Sequence, residues 1–285
     1  MSSHILLTID VEDWFQVENF KQWIPFSSWQ SYELRVEKNT HYLLDLLDTA
    51  SFQFRATFFV LGWIAERLPH LVREIYSRGH EVASHGYCHN LCKECSPEDL
   101  REDLIHSKKL LEDIIGDHID GYRAPSFSID RDILKIIEEC GYLYDSSFNS
   151  FGMHGRYGQV DLSHNIRKGI MAKVSDNFYE LPISNFRLGD RILPWGGGGY
   201  FRLIPFFIFR LGVQSILKKE NAYLFYIHPW EIDPDQPTVK EASFVYKFRH
   251  YINLDKTQLK FSKLIESFRH HHFLTCREYI NKLNS

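Results

Sequence analysis

The segment Ile5-Leu-Leu-Thr-Ile-Asp10-Val-Glu-Asp13-Trp14 decides how this chain is read: an apolar, β-like run that ends abruptly in three carboxylates. The same order recurs along the sequence, a short β-like run, then polar residues, then a helical pattern. Residues 5–9, 54–60, 81–84, 119–123, 142–144, 178–183 and 222–227 have strand character; 41–47, 64–78, 97–116, 131–140, 203–219 and 258–269 have helical character. Such alternation predicts βα units and a largely parallel sheet. Helix punctuation agrees: Ser96-Pro97-Glu98-Asp99 supplies a hydroxyl cap, a first-turn Pro and acids facing the dipole, and Gly79 sits where a helix stops. Residues 146–177 read as irregular. No linker-like stretch interrupts the series, so the expectation is an α/β fold over residues 1–285 as a single domain, a distorted (β/α) barrel of about seven strands.

Composition narrows the function classes. The formal net charge is −4, which argues against nucleic acid as a partner. The apolar run 203–209 is interrupted by Pro205 and falls far short of the roughly 18 residues of a spanning helix, so no membrane span is expected. The N-terminal residues enter the first strand without a basic leader, and the Cys count, 5, is odd; both point to a reducing, cytoplasmic location.

The chemistry-bearing residues sit just after strands, where barrels of this kind place their active sites. Asp10, Glu12 and Asp13 follow the first strand; three carboxylates this close repel one another unless a cation or protons intervene. His85-Gly-Tyr-Cys-His89 follows another, and two His four apart on one face of a helical turn could reach one cation. Two His and a carboxylate form a set that leaves positions open for water and substrate. Arg123, in Arg123-Ala-Pro125, is placed to orient a catalytic carboxylate through a charge-assisted bond. His228, in His228-Pro-Trp-Glu231, leaves an apolar strand beside a rigid Pro. Each motif has a plainer explanation: a solvated acidic turn, an incidental His pair, a surface ion pair, a satisfied core His. A rival metal arrangement uses His85, Cys88, His89, Cys92 and Cys95 as a structural zinc site.

Taken together, these segments resemble the polysaccharide deacetylases of the NodB-homology type. The resemblance rests on Thr8-Ile-Asp10-Val-Glu-Asp13, Ala56-Thr-Phe-Phe-Val60, His85-x3-His89, Arg123-Ala-Pro125, Tyr144-Asp-Ser-Ser147 and Ile227-His228, in family order from Asp10 to Glu231. The wording Asp-Val-Glu-Asp-Trp-Phe, with Leu193-Pro-Trp-Gly-Gly-Gly-Gly and His228-Pro-Trp-Glu, is similar to a bacterial subgroup found with exopolysaccharide and exosortase-linked assembly systems. Where the commonest pattern has two adjacent Asp residues, Val11 here separates Asp10 from Glu12 and Asp13, so either of the latter could be the carboxylate ligand.

The resemblance implies removal of N-acetyl groups from N-acetylhexosamine units of an exopolysaccharide, or of its precursor at the inner membrane face. A divalent cation, zinc first and cobalt as an alternative, would be held by His85, His89 and Glu12 or Asp13. Asp10 would be the general base, kept in place by Arg123, and His228 the acid that protonates the leaving amine. The backbone amide of Tyr87 is a candidate oxyanion donor, and Pro125, Trp195 and Trp230 candidate sugar contacts. The rivals are an allantoinase-like hydrolase of a small cyclic amide on the same fold, and a non-catalytic carbohydrate-binding homologue.

Overall fold

The computed structural model describes residues 3–49, 54–151 and 160–285. In chain order the strands are β1 (His4–Val11), β2 (Ala56–Val60), β3 (Glu81–Ser84), β4 (Gly121–Tyr122), β5 (Tyr144–Asp145), β6 (Ile166–Lys168), β7 (Met171–Lys173), β8 (Tyr179–Glu180), β9 (Asn185–Leu188), β10 (Arg191–Pro194), β11 (Ala222–Ile227) and β12 (His272–Phe273). The main sheet runs β11-β1-β2-β3-β4-β5-β8-β7-β6, and β12 pairs with the start of β1. From β11 to β8 every neighbour is parallel; β7 and β6 are antiparallel additions, and β9 and β10 form a separate hairpin.

The expected parallel α/β architecture is therefore present, as a curled half-barrel whose strand order has two ends. The outer edge of β11 is closed by the chain that follows β8: Leu224 N–H donates to Ser184 Oγ at 2.9 Å, and Tyr226 N–H donates to Gly196 O at 2.8 Å. β1 lies between β11 and β2 and is buried along its whole length, which is why it reads as an unbroken apolar run rather than an alternating one.

Helices cover the sheet, with boundaries that depart from the expectation where Pro intervenes. The helix expected over 64–78 is two, Gly62–Arg67 and Pro69–Ser77, because Pro69 has no N–H to continue the ladder. Pro205 likewise divides Gly198–Leu203 from Phe206–Glu220. Ser96 and Asp130 do cap helices, their side chains accepting from Asp99 and Ile133 N–H. One helix, Phe244–Tyr251, was not expected: its apolar residues face outward, so it lacks the inward-facing pattern that marks a core helix. The stretch expected to be irregular includes residues 152–159, which lie outside the described residues, and the β6–β7 hairpin after them.

Candidate active site

The parallel ladder carries the polar residues to one rim. His85 N–H donates to Val60 O at 3.0 Å and Arg123 N–H to Ser84 O at 2.9 Å, so both extend the register just beyond β3 and β4. Asp10 sits within β1 opposite Phe59, and the chain then turns tightly, with Glu12 N–H donating to Asp10 O at 3.0 Å. This turn separates the fates of the three carboxylates. Glu12 turns toward the histidines. Asp13 turns away, accepting from the backbone amides of Trp14 (2.8 Å), Arg35 (2.6 Å) and Val36 (2.8 Å), and thereby anchors the start of helix Val36–Leu47. Burial outweighs those bonds and raises the Asp13 pKa to about 6.

Glu12, His85 and His89 are buried, and each presents a ligand atom within 4.8 Å of the other two. The His pair does not occupy a helical turn, as the spacing predicted. Gly86 (φ 72°) and His89 (φ 54°) are left-handed, folding the segment into a loop that points both rings inward. A Cβ at Gly86 would stand 2.8 Å from Asp103 Oδ2, so this turn requires glycine. His85 Nδ1 lies 2.7 Å from Arg123 O; a carbonyl only accepts, so Nδ1 carries the proton and Nε2 keeps its lone pair. Burial lowers the His85 pKa to about 4, which favours the neutral, ligating form. Glu12 Oε2 approaches His89 Nε2 to 2.8 Å yet lacks hydrogen-bond alignment, leaving a buried oxygen without a proper partner. Burial opposes ionisation of Glu12, but His89 and His228 overcome it and hold the carboxyl well below the usual range. A divalent cation fits this donor set: two imidazole nitrogens, one under-satisfied carboxylate, and a histidine oriented from behind.

Beside it lies a second charged pair. Arg123 is fully buried; its Nη1 donates to Asp10 Oδ1 at 2.6 Å and to Thr8 Oγ1 at 2.7 Å, while Nε and Nη2 donate to Ser146 O (2.8 Å) and Oγ (2.9 Å). Its guanidinium lies 4.1 Å from the centre of the Phe59 ring. Asp10 is thus held by a group that is itself fixed by three further hydrogen bonds.

His228 faces these acids, with Nε2 3.8 Å from Asp10 Oδ2 and 3.5 Å from Glu12 Oε1. Its Nδ1 is 2.8 Å from Glu231 Oε1, and Glu231 Oε2 is 2.9 Å from Arg202 Nε. Burial would lower the His228 pKa, but Glu12, Glu231 and Asp10 together raise it to about 9. A cation on Glu12 would cancel part of that field. Trp230 stacks on His228 with centroids 5.1 Å apart, and its indole N–H donates to Glu12 Oε1 at 3.2 Å. Arg202 and Glu231 were not singled out from sequence. Glu231 lay three residues from His228, a capping spacing that could have flagged it; Arg202 carried no local signal, since only the tertiary fold brings it to Glu231.

Asp10, Glu12, His85, His89, His228 and Trp230 line one cleft of about 400 Å³. Three expectations need correction. Trp195 is core: it stacks on Phe209 and its indole N–H donates to Phe209 O at 2.9 Å, away from the cleft. Tyr87 is not an oxyanion donor in this geometry, because its N–H is engaged by Asp103 (3.0 Å) and its hydroxyl donates to Glu66 (2.8 Å). Pro125 is buried beneath the cleft wall, which Ala124, Ser126 and Phe127 form instead. In the Gly-rich turn, Gly198 packs against the Glu231 carboxylate, so its lack of a Cβ makes room for protein rather than substrate. The cysteine-based zinc alternative also falls away. Cys92 Sγ pairs with the Tyr122 hydroxyl and Cys95 Sγ with Leu91 O, and among the described residues no sulfur joins the His pair.

Residues 26–144 match the polysaccharide deacetylase family model, and residues 146–281 match a domain of unknown function, DUF3473. The two matches meet at β5, inside the continuous sheet, and the cleft draws residues from both. A peptidoglycan deacetylase-like protein of Gibberella zeae is 35% identical over 107 residues, covering 38% of this chain and 32% of that protein. A peptidoglycan-N-acetylglucosamine deacetylase of Bacillus cereus is 32% identical over 103 residues, covering 36% and 47%. The alignments thus span about a third to a half of those relatives. A Mycobacterium smegmatis crystal structure of the polysaccharide deacetylase kind superposes with a TM-score of 0.60 at 19% identity, covering 99% of this chain and 90% of that one. An allantoinase superposes at the same TM-score, 0.60, with 12% identity over 96% and 87% of the two chains, so the fold alone is shared with more than one chemistry. The family match thus falls on the segment, residues 26–144, that carries His85, His89 and Arg123, and the fold around it is the one seen in the Mycobacterium smegmatis structure.

Proposed function

We propose that residues 1–285 act as one catalytic domain, a metal-dependent deacetylase that removes N-acetyl groups from N-acetylhexosamine units of a bacterial exopolysaccharide or its precursor. The observation that carries this reading is the pairing of the Glu12–His85–His89 cluster with Asp10, held by Arg123, opposite His228 in one cleft. The names of the deacetylase relatives support the substrate class.

Glu12, His85 and His89 would hold the cation, zinc first and cobalt as an alternative; when bound, it supplies polarisation of the acetamide carbonyl and acidification of water. Asp10 accepts the proton of the attacking water, and its aim is set by Arg123 and, through it, by Thr8 and Ser146. His228, steadied by Glu231, whose carboxylate favours its protonated form, gives its proton to the departing sugar nitrogen. An amide nitrogen needs that proton, since an amine anion is far too basic to leave. Water is consumed, acetate and the free amino sugar are released, and the two protein groups exchange one proton.

The test is acetate release from N-acetylated oligosaccharides of increasing length, with and without chelator, then with zinc or cobalt restored. Chelator-sensitive release that grows with length is the expected result. No acetate from any sugar, together with ring opening of a small cyclic amide, would move the assignment to the allantoinase-like rival. Tight oligosaccharide binding without turnover in the metal-loaded protein would move it to the carbohydrate-binding one.

A further inference from the structure

Helix Phe244–Tyr251 is built inside out. His250 is its buried residue, whereas Phe244, Val245 and Phe248 are 78%, 57% and 45% exposed. Phe244 and Phe248 stack on each other, centroids 6.2 Å apart. The helix that begins just after Leu203 and Pro205 repeats the pattern. Helix Phe206–Glu220 buries Phe209 and Val213 while Phe207, Ile208 and Leu211 face outward, and Leu203 just before Pro205 does the same. Arg202 ties helix Gly198–Leu203, which ends in Leu203, to helix Phe244–Tyr251, its guanidinium donating to His250 O at 2.6 Å and Arg249 O at 3.0 Å. Leu203, Phe244, Val245 and Phe248 line the cleft that contains Asp10 and His228, so the apolar surface forms its lip.

Exposed apolar side chains clustered this way are uncommon on a free surface and mark something that covers them. Charge indicates what. Residues 203–220 and 240–255 contain Arg210, Lys218, Lys219, Lys240, Lys247 and Arg249 against Glu220, Glu241 and Asp255, a local excess of positive charge in a chain whose net charge is −4. An apolar lip set among cations, on an otherwise acidic protein, fits the interface of an anionic bilayer. A second copy fits less well, because a self-complementary contact would bring these cations against their own copies. A sugar polymer fits poorly, because Phe207, Ile208 and Leu211 lie outside the cleft. Among the described residues no helix is long and apolar enough to cross a membrane, so the contact is a surface one.

We propose that this lip docks on an anionic phospholipid surface, with Phe207, Ile208, Leu211, Phe244 and Phe248 entering the headgroup–acyl boundary and the cleft opening along the membrane. The inference does not rest on the deacetylase reading, and its test measures binding without turnover.

The full chain is sedimented with vesicles of phosphatidylglycerol and phosphatidylethanolamine, and separately with phosphatidylcholine vesicles. Binding to the anionic vesicles is expected, weakened about tenfold on phosphatidylcholine or in about 0.5 M salt. F207S/L211S, which leaves the cleft lining intact, is expected to lower the anionic-vesicle partition coefficient about tenfold or more with an unchanged circular dichroism melt. K247E/R249E is expected to lower it on anionic vesicles alone. Folded wild-type protein that ignores the anionic vesicles would overturn the proposal, as would a folded F207S/L211S variant that binds them equally. A concentration-dependent dimer abolished by F207S/L211S would also overturn it, assigning the face to a second copy.

Discussion

Arg123 donates to Asp10 at 2.6 Å with both side chains closed off from solvent, and the same guanidinium also holds Thr8 and Ser146. This one side chain ties the ends of β1, β4 and β5 together at the rim of the sheet. Replacing it takes from a buried carboxylate its nearest counter-charge and its hydrogen-bond donor, the costly way to break an ion pair. Arg123→Met is expected to lose about 3–5 kcal/mol of stability in urea unfolding at pH 7, and to lose acetate release where the protein remains folded. Unchanged stability would mean that water reaches Asp10.

The division of labour after β1 gives a pair of opposite metal phenotypes. Glu12→Gln removes the carboxylate that clusters with the two histidines, and His85→Ala removes a nitrogen ligand. Both are expected to lower bound metal well below one equivalent by elemental analysis. Asp13→Asn is expected to keep its metal and to lose about 1 kcal/mol of stability, since Asp13 serves the amides that begin helix Val36–Leu47. Full metal in His85→Ala would contradict the ligand set.

His228 touches the acids and belongs to the proton-transfer side of the cleft. His228→Ala is expected to retain metal while turnover falls about 10²–10⁴-fold. Loss of metal in that variant would make His228 a ligand instead of an acid.

A pH effect is expected far from the cleft. His80 is buried, its Nδ1 accepts from Ala56 N–H at 3.3 Å and its Nε2 has no partner, so the folded protein holds it neutral. Burial lowers its pKa from 6.5 to about 4; Arg55 and Arg78 add to this and Asp48 opposes it. A depressed pKa means that the unfolded chain binds the proton first. The stabilising contribution is full above pH about 6.5 and is lost as pH falls toward 4, by about 3 kcal/mol at most. His80→Asn should flatten that part of the stability–pH curve relative to the parent. Parallel curves would show that His80 titrates as a solvated group.

The sequence by itself determined the repeating strand-and-helix order, the rim on which the polar residues gather, and the identities of Asp10, His85, His89, Arg123 and His228. These were legible because each follows directly on a β-like run, and local chain direction then fixes which end of the sheet it reaches. Only the tertiary structure decided what depends on distant neighbours. Glu12 and Asp13 differ by one position, and the tight turn after Asp10 sends one to His89 and the other to Arg35 and Val36. Trp195 reads like a sugar platform beside a Gly-rich turn, yet it packs against Phe209 and Gly212 of one helix. Arg202 becomes part of the site because helix Gly198–Leu203 packs beneath Glu231. Burial and partner choice arise from contacts between segments far apart in the chain, and a local pattern carries no record of them.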